Sequence, residues 1–154
     1  MRRGSPEPFH RLNRIPIRDD GEALVDLRGL SAGWVLAPGC LPYLRVRVAA
    51  MLVRAQDSLP DGHRLTVSTA LRTLEMQATL YWENFEKLRA ERPELPLSAL
   101  RRRTNRYFAP PDYPAPPGHC TGGAVDVGVL GPDGRPLEMT GELRPAMAVS
   151  YAGM

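Results

Sequence analysis

The sequence predicts an α+β fold, a small antiparallel sheet packed with helices. Three observations predict it. Two segments, Pro42 to Leu59 and Arg72 to Glu91, carry apolar residues at three- and four-residue steps, the period of an amphipathic helix. Two others, His63 to Leu71 and Gly123 to Leu130, carry β-branched residues or strict alternation, the mark of strands. Proline- and glycine-bearing stretches such as Pro60-Asp61-Gly62 and "GPDGRP" separate these segments and set short turns between them.

In chain order, residues 1–14 mix Pro, Gly and Arg without periodicity and read as a flexible arm, leaving residues 15–154 as a single domain. "IPI", Ile15 to Ile17, and "EALVDL", Glu22 to Leu27, suggest short strands around the Asp20-Gly21 turn. In "PYLRVRVAAMLVRAQDSL" the residues Leu44, Val48, Met51, Leu52 and Ala55 share one helical stripe, which reads as core. "HRLTVSTAL" follows as a strand of about six residues. "RTLEMQATLYWENFEKLRAE" reads as a long helix with Thr73 as its cap, with Leu74, Ala78, Tyr81 and Phe85 on one face, stopped by Pro93. "PLSALRRRTNRYF" reads as a shorter helix with Pro96 near its first turn and Ser98 as a cap. "APPDYPAPPGH" holds five prolines, so it is neither helix nor central strand but a stiff approach to His119. "GAVDVGVL" is then a strand, "GPDGRP" a hairpin turn and "LEM" the start of a return strand. The last stretch, Thr140 to Met154, has little pattern.

Composition removes several function classes. The 154 residues are 43% hydrophobic, enough for one core. No window approaches the roughly 18 apolar residues of a membrane helix. The basic start "MRRGSPEPFHRLN" lacks the apolar stretch of a secretory signal, so the expectation is a cytoplasmic protein with no membrane partner. Cys40 and Cys120 are too sparse for a disulfide framework and are expected as free thiols. The net charge of +3 is spread out, with "RRRTNR", Arg101 to Arg106, its one dense run. That run lacks interleaved aromatics or a module signature, so it reads as a solvated helix end and not a nucleic-acid site.

The chemistry concentrates in "PPGHCTGGAVDVGVL", Pro116 to Leu130. Alternation puts Ala124, Asp126 and Gly128 on one face and Val125, Val127 and Val129 on the other, which reads as the core face. Small residues flank the carboxylate and leave space beside it. Were the chain straight, His119 and Asp126 would lie about 23 Å apart at 3.3 Å per residue. They share a metal only if the backbone folds back between them, which the Gly122-Gly123 pair permits. Imidazole and carboxylate both suit zinc. On spacing alone, His119 also reads as an ordinary loop residue, His10 as part of the arm, and His63 as a turn residue. Cys120 stands next to His119, and neighbours on a strand point apart. Arg72, at the end of "LTVSTALR", reads by itself as a surface residue at a helix entry.

"HCTGGAVD" closely resembles the H-x-x-G-x-A-x-D signature of the bacterial D-alanyl-D-alanine dipeptidases, a branch of the zinc D,D-peptidases. "PYLRVRVAAMLVRAQDSLPDGHRLTVSTALRTLEMQATLY" looks like the family's helix, strand, catalytic arginine and following helix, and "PDGRPLEM" looks like its hairpin, so the resemblance runs from about Ile15 to Met139. It implies a D,D-peptidase-like fold, one Zn2+ held in part by His119 and Asp126, and Arg72 as the donor that stabilises the developing oxyanion. The implied substrate is a small D-Ala-D-Ala-like peptide of the cell wall, cleaved by metal-assisted hydrolysis.

The sequence departs from the pattern in three places. The family's later Glu-x-x-His, source of the general base and third zinc ligand, has no counterpart, since no His follows His119. Pro117 stands where a Ser is common two residues before the histidine. Leu143-Arg144 stands where the dipeptidases carry a Phe-Asp pair whose Asp holds the substrate's amino group, which reverses the charge expected there. Glu138 and Glu142 fit neither missing role. The expectation is a C-terminally incomplete family member with impaired hydrolysis, or a non-catalytic binding module on the same fold.

Overall fold

The computed structural model describes residues 21–30, 33–112 and 116–139. Its order is β1 (Leu24–Asp26), β2 (Val35–Leu36), β3 (Tyr43–Arg45), α1 (Val46–Asp57), β4 (Arg64–Thr69), α2 (Leu74–Glu91), α3 (Leu97–Thr104) and β5 (Asp126–Leu130), with single 3-10 turns at Leu27–Gly29 and Gly118–Thr121. The fold is α+β. β4 is central in a three-stranded sheet of order β2-β4-β5, antiparallel to β5 and parallel to β2, so the sheet is mixed. β1 and β3 form a separate antiparallel pair. No described helix is long and apolar enough to cross a membrane.

The first helix begins later than its apolar period suggests. Tyr43–Arg45 is a strand because β1 pairs with it residue for residue, Leu24 with Arg45 through Asp26 with Tyr43. The extended Arg45 backbone also donates its N–H to Gly122 O at 2.9 Å. Leu44 is therefore core from a strand. On α1 the inward residues are Ala49 and Leu52, with Val48 packed beside them, while Met51 is 50% exposed and Ala55 also faces out. The helix is turned by its contact with the strands rather than by the run that starts at Leu44. Gln56 finishes the junction: its Oε1 accepts from Leu65 N at 2.7 Å and its Nε2 donates to His63 O at 3.1 Å.

The main core is apolar throughout: Leu27, Leu44, Ala49, Leu52, Leu65, Val67, Ala70 and Val129. Only part of the valine face predicted for β5 is buried. Val129 is, whereas Val127 is 41% exposed among the described residues. β5 begins at Asp126 rather than Gly123, because the residues before it form the turn that carries His119. After β5, Gly131 N donates to Arg135 O, Gly134 N donates to Gly131 O and Gly134 takes φ +76°, which makes the expected hairpin turn. The return limb is a single bridge, Leu130 to Pro136, with Leu137 N donating to Val129 O.

α2 and α3 form a second packed layer. Thr73 caps α2 as expected, its hydroxyl accepting from Met76 N at 3.1 Å. The buried face is Gln77, Tyr81 and Phe85, a run of four-residue steps, while Leu74 is 60% exposed in the first turn. On α3, Pro96 is the cap position and no side chain caps, so Ser98 does not serve that role. α3 ends at Thr104, short of Phe108, in turns at Asn105 and Tyr107. Arg101 lies over the Trp82 ring at 5.6 Å and pairs with Asp112 at 3.4 Å, as a solvated helix end does. The predicted strand Ile15–Ile17, the arm 1–14, and Thr140–Met154, with Glu142 and Leu143-Arg144, lie outside the described residues.

Candidate functional site

The backbone reversal between His119 and Asp126 rests on one glycine. Gly122 adopts φ +72°, a conformation that costs a side chain but not glycine. A Cβ there would also meet Leu24 Cδ2 at 2.6 Å. Gly123 does not share the positive φ, so the pair is not symmetric in its work. Arg45 closes over this turn. Its Nε donates to Thr121 O at 2.7 Å and its Nη1 to Glu22 O. The β1–β3 pair thus seats the turn against the sheet.

β4 supplies the other wall. His119 is held twice by the residues just past this strand: its carbonyl accepts from Arg72 N at 3.0 Å, and its ring Nδ1 lies 3.1 Å from Ala70 O. A backbone carbonyl only accepts, so Nδ1 carries the proton and Nε2 presents a lone pair when the ring is neutral. Nε2 lies 3.4 Å from Asp126 Oδ2. Two electron-rich atoms face one another across that distance, an arrangement that calls for a proton or a cation between them.

Asp126 is aimed by an irregularity in the ladder. The register runs Val67 with Val127, then Thr69 with Asp126, so Ser68 and Thr69 together oppose one residue in a β-bulge. Thr69 is thereby set opposite Asp126 in the ladder, and its side chain favours the charged carboxylate. The imidazole of His119 holds the Asp126 carboxyl below the usual carboxylate range, with Thr69 and the Arg72 charge acting the same way and partial burial acting against them. Arg72 also acts on Cys120, where burial nevertheless pushes the thiol up. Cys120 Sγ is 3.9 Å from Thr73 O, and both Cys40 and Cys120 are free thiols.

The three residues singled out in the sequence, Arg72, His119 and Asp126, therefore come together at the ends of β4 and β5. The donor types and their spacing fit two positions of a zinc site. Ligands about 2.0–2.2 Å from a tetrahedral ion stand about 3.3–3.6 Å from one another, and the observed separation is 3.4 Å. The Nδ1–Ala70 bond is the outer contact that commonly orients such a histidine. Among the described residues, no group of three or more His, Cys, Asp or Glu side chains could hold a metal ion.

Sequence reasoning missed Thr69 and Gln77. The bulge that sets Thr69 opposite Asp126 has no local signature. Gln77 did leave a signal, a polar residue in step with Tyr81 and Phe85. It is 1% exposed; its Oε1 accepts from Arg72 Nη1 at 2.7 Å and its Nε2 donates to Ala109 O at 2.8 Å.

This is an α+β protein whose site joins an imidazole, a carboxylate and a guanidinium. No family model matches the chain, and no curated protein sequence matches it. Among solved structures it is similar to the crystal structure of a vancomycin resistance D,D-pentapeptidase, a VanY mutant from a VanB-type resistance cassette in complex with Zn(II). Identity is 20%, the TM-score is 0.44, and the match covers 70% of this chain and 52% of that one. The chain spans about half the length of that structure. An overlap this low assigns neither family nor activity to this chain.

Proposed function

We propose that this chain is a zinc-dependent hydrolase of the D,D-peptidase kind, acting on D-Ala-D-Ala-type peptides of the cell wall, with impaired turnover, no third ligand or general base being assigned among the described residues. The observation that carries the reading is the 3.4 Å separation of His119 Nε2 from Asp126 Oδ2, with the histidine proton engaged on the far side by Ala70 O. The resemblance of "HCTGGAVD" to the dipeptidase signature supplies the substrate class.

His119 and Asp126 would hold the metal. When bound, zinc supplies Lewis-acid polarisation of a carbonyl and acidifies water. Arg72 supplies fixed positive charge beside the same carboxylate. Its planar fork of donors suits an oxygen that gains negative charge during acyl transfer, an interaction worth on the order of 3 kcal/mol. No described carboxylate other than Asp126 adjoins His119 by an ion pair, so proton removal has no assigned side chain.

Two measurements on the full chain test this. Zinc affinity by chelator competition should show about one ion per chain, weakened by at least about 10- to 100-fold in Asp126→Ala and in His119→Ala, since losing a ligand costs at least what losing its outer partner does. Hydrolysis of D-Ala-D-Ala with added zinc should be slow and should vanish in Asp126→Ala. Equal zinc binding by wild type and Asp126→Ala would overturn the reading.

A second reading is a non-catalytic module on this fold that binds the peptide through Arg72, whose guanidinium is anchored by Gln77 Oε1 at 2.7 Å. It predicts saturable, Arg72-dependent binding of D-Ala-D-Ala in calorimetry with no product formed.

A further inference from the structure

The structure assigns Gln77 as the positioning residue for Arg72: an amide buried in α2 that fixes where the guanidinium points. This deepens the role proposed for Arg72 and rests on it for its functional meaning. Gln77 is 1% exposed on a helix face otherwise made of Tyr81 and Phe85. Burying an amide is costly unless both ends are bonded. Here both ends are. Ala109 O can only accept, so the amide nitrogen must face it, and the 2.8 Å bond fixes the flip of the side chain. The carbonyl Oε1 is then forced toward Arg72 Nη1, which it meets at 2.7 Å.

The consequence falls on Arg72. Its backbone N–H is committed to His119 O at 3.0 Å, so main chain and side chain are anchored separately. Among the described residues, Gln77 is the one hydrogen-bond acceptor of its guanidinium. A guanidinium has five N–H donors, and among the described residues only the one on Nη1 that meets Gln77 Oε1 has a hydrogen-bond acceptor, so most of the fork is left for another acceptor. Holding one edge of the fork while leaving the rest available is what a preorganised donor to a developing oxyanion requires. A residue wanted only for packing at position 77 would be Leu or Met. The Ala109 bond also ties Arg72 to the head of the proline-rich tract whose other end delivers His119.

The test is site-resolved chemical modification of the full chain. Phenylglyoxal labelling of Arg72, followed by peptide mass spectrometry, is compared in wild type, Gln77→Met and Gln77→Glu, with thermal melts alongside. Gln77→Met removes both bonds, and Arg72 should label about tenfold faster while the other arginines keep their rates. Gln77→Glu keeps the acceptor and loses the donor to Ala109. Arg72 should then label no faster than in wild type even though the melting temperature falls, a separation that a purely structural role would not produce. Wild-type labelling of Arg72 in folded Gln77→Met would overturn the assignment, as would fast labelling in Gln77→Glu. If Gln77→Met unfolds and all arginines label together, the Gln77→Glu result decides alone. Labelling reads the anchoring of Arg72 without turnover, so its failure is distinct from failure of the peptidase reading. If hydrolysis is measurable, Gln77→Met should lower kcat and leave KM unchanged.

Discussion

The sheet layer and the α2–α3 layer are held together by different physics. Around β4 every buried residue of the main cluster is apolar, from Leu27 and Leu44 to Val67 and Val129. Between α2 and α3 the buried set mixes Tyr81, Phe85 and Leu100 with Gln77 and Thr104, and the polar members are bonded. Tyr81 OH donates to Asn105 Oδ1 at 2.8 Å and Thr104 Oγ1 to Leu100 O at 3.1 Å. Apolar burial is non-directional and tolerates small shifts. Hydrogen bonds fix angles as well as distances. The contrast teaches why Arg72 stands at the seam: the sheet layer holds its backbone through His119, and the helical layer aims its side chain through Gln77.

Substitutions should separate the two layers. The largest effect is expected from Leu44→Ala in the apolar core, a loss of about 2–5 kcal/mol in urea unfolding, because a fully buried leucine leaves a cavity. A loss below about 1 kcal/mol would show that the sheet layer is not closely packed. Next comes Gly122→Ala. It meets both the positive φ and Leu24, and should cost about 2–4 kcal/mol while weakening zinc binding, as it displaces His119. Unchanged stability there would break the link between the β1–β3 pair and the site. In the helical layer, Tyr81→Phe should cost only about 1 kcal/mol, the value of one hydrogen bond with its partner left unpaired.

The smallest effect belongs to acid. Asp26 is held down at about 2 by Arg28, first through the side-chain hydrogen bond and then through the Arg28 backbone N–H. Its folded value lies below its ordinary one near 4. The contribution is therefore complete above about pH 4 and lost as pH falls toward 2. Both groups are at the surface, so the loss should be slight. Comparing wild type with Asp26→Asn by thermal melts at pH 6 and pH 2 checks it: the difference between them should shrink at the lower pH. A difference that grows on acidification would reverse the sign of this argument.

Much of this was legible beforehand where physics is local. The period of "LEMQATLYWENFEKLRAE", the Thr73 cap, the strand at "RLTVST" and the "GPDGRP" turn all depend on neighbours within a few residues. The failures are non-local. Tyr43–Arg45 became a strand because β1 and Gly122 O lay beside it. Met51 faced outward because the sheet, not the stripe, set the roll of α1. Ser98 does not cap because α3 starts at Leu97, with Pro96 in the cap position. β2 is not legible in the sequence because its two residues carry no period.

The sequence by itself determined that a strand just before Arg72 precedes a long helix, and that glycine separates His119 from Asp126. Backbone dihedral preference and side-chain period are properties of short segments, and they survive in any context. Only the tertiary structure decided that His119 Nε2 and Asp126 Oδ2 stand 3.4 Å apart, that a bulge sets Thr69 opposite Asp126, and that Gln77 reaches Arg72. Those distances depend on how the ends of β4, β5 and α2 are packed against one another, and packing is settled by contacts between residues far apart in the chain.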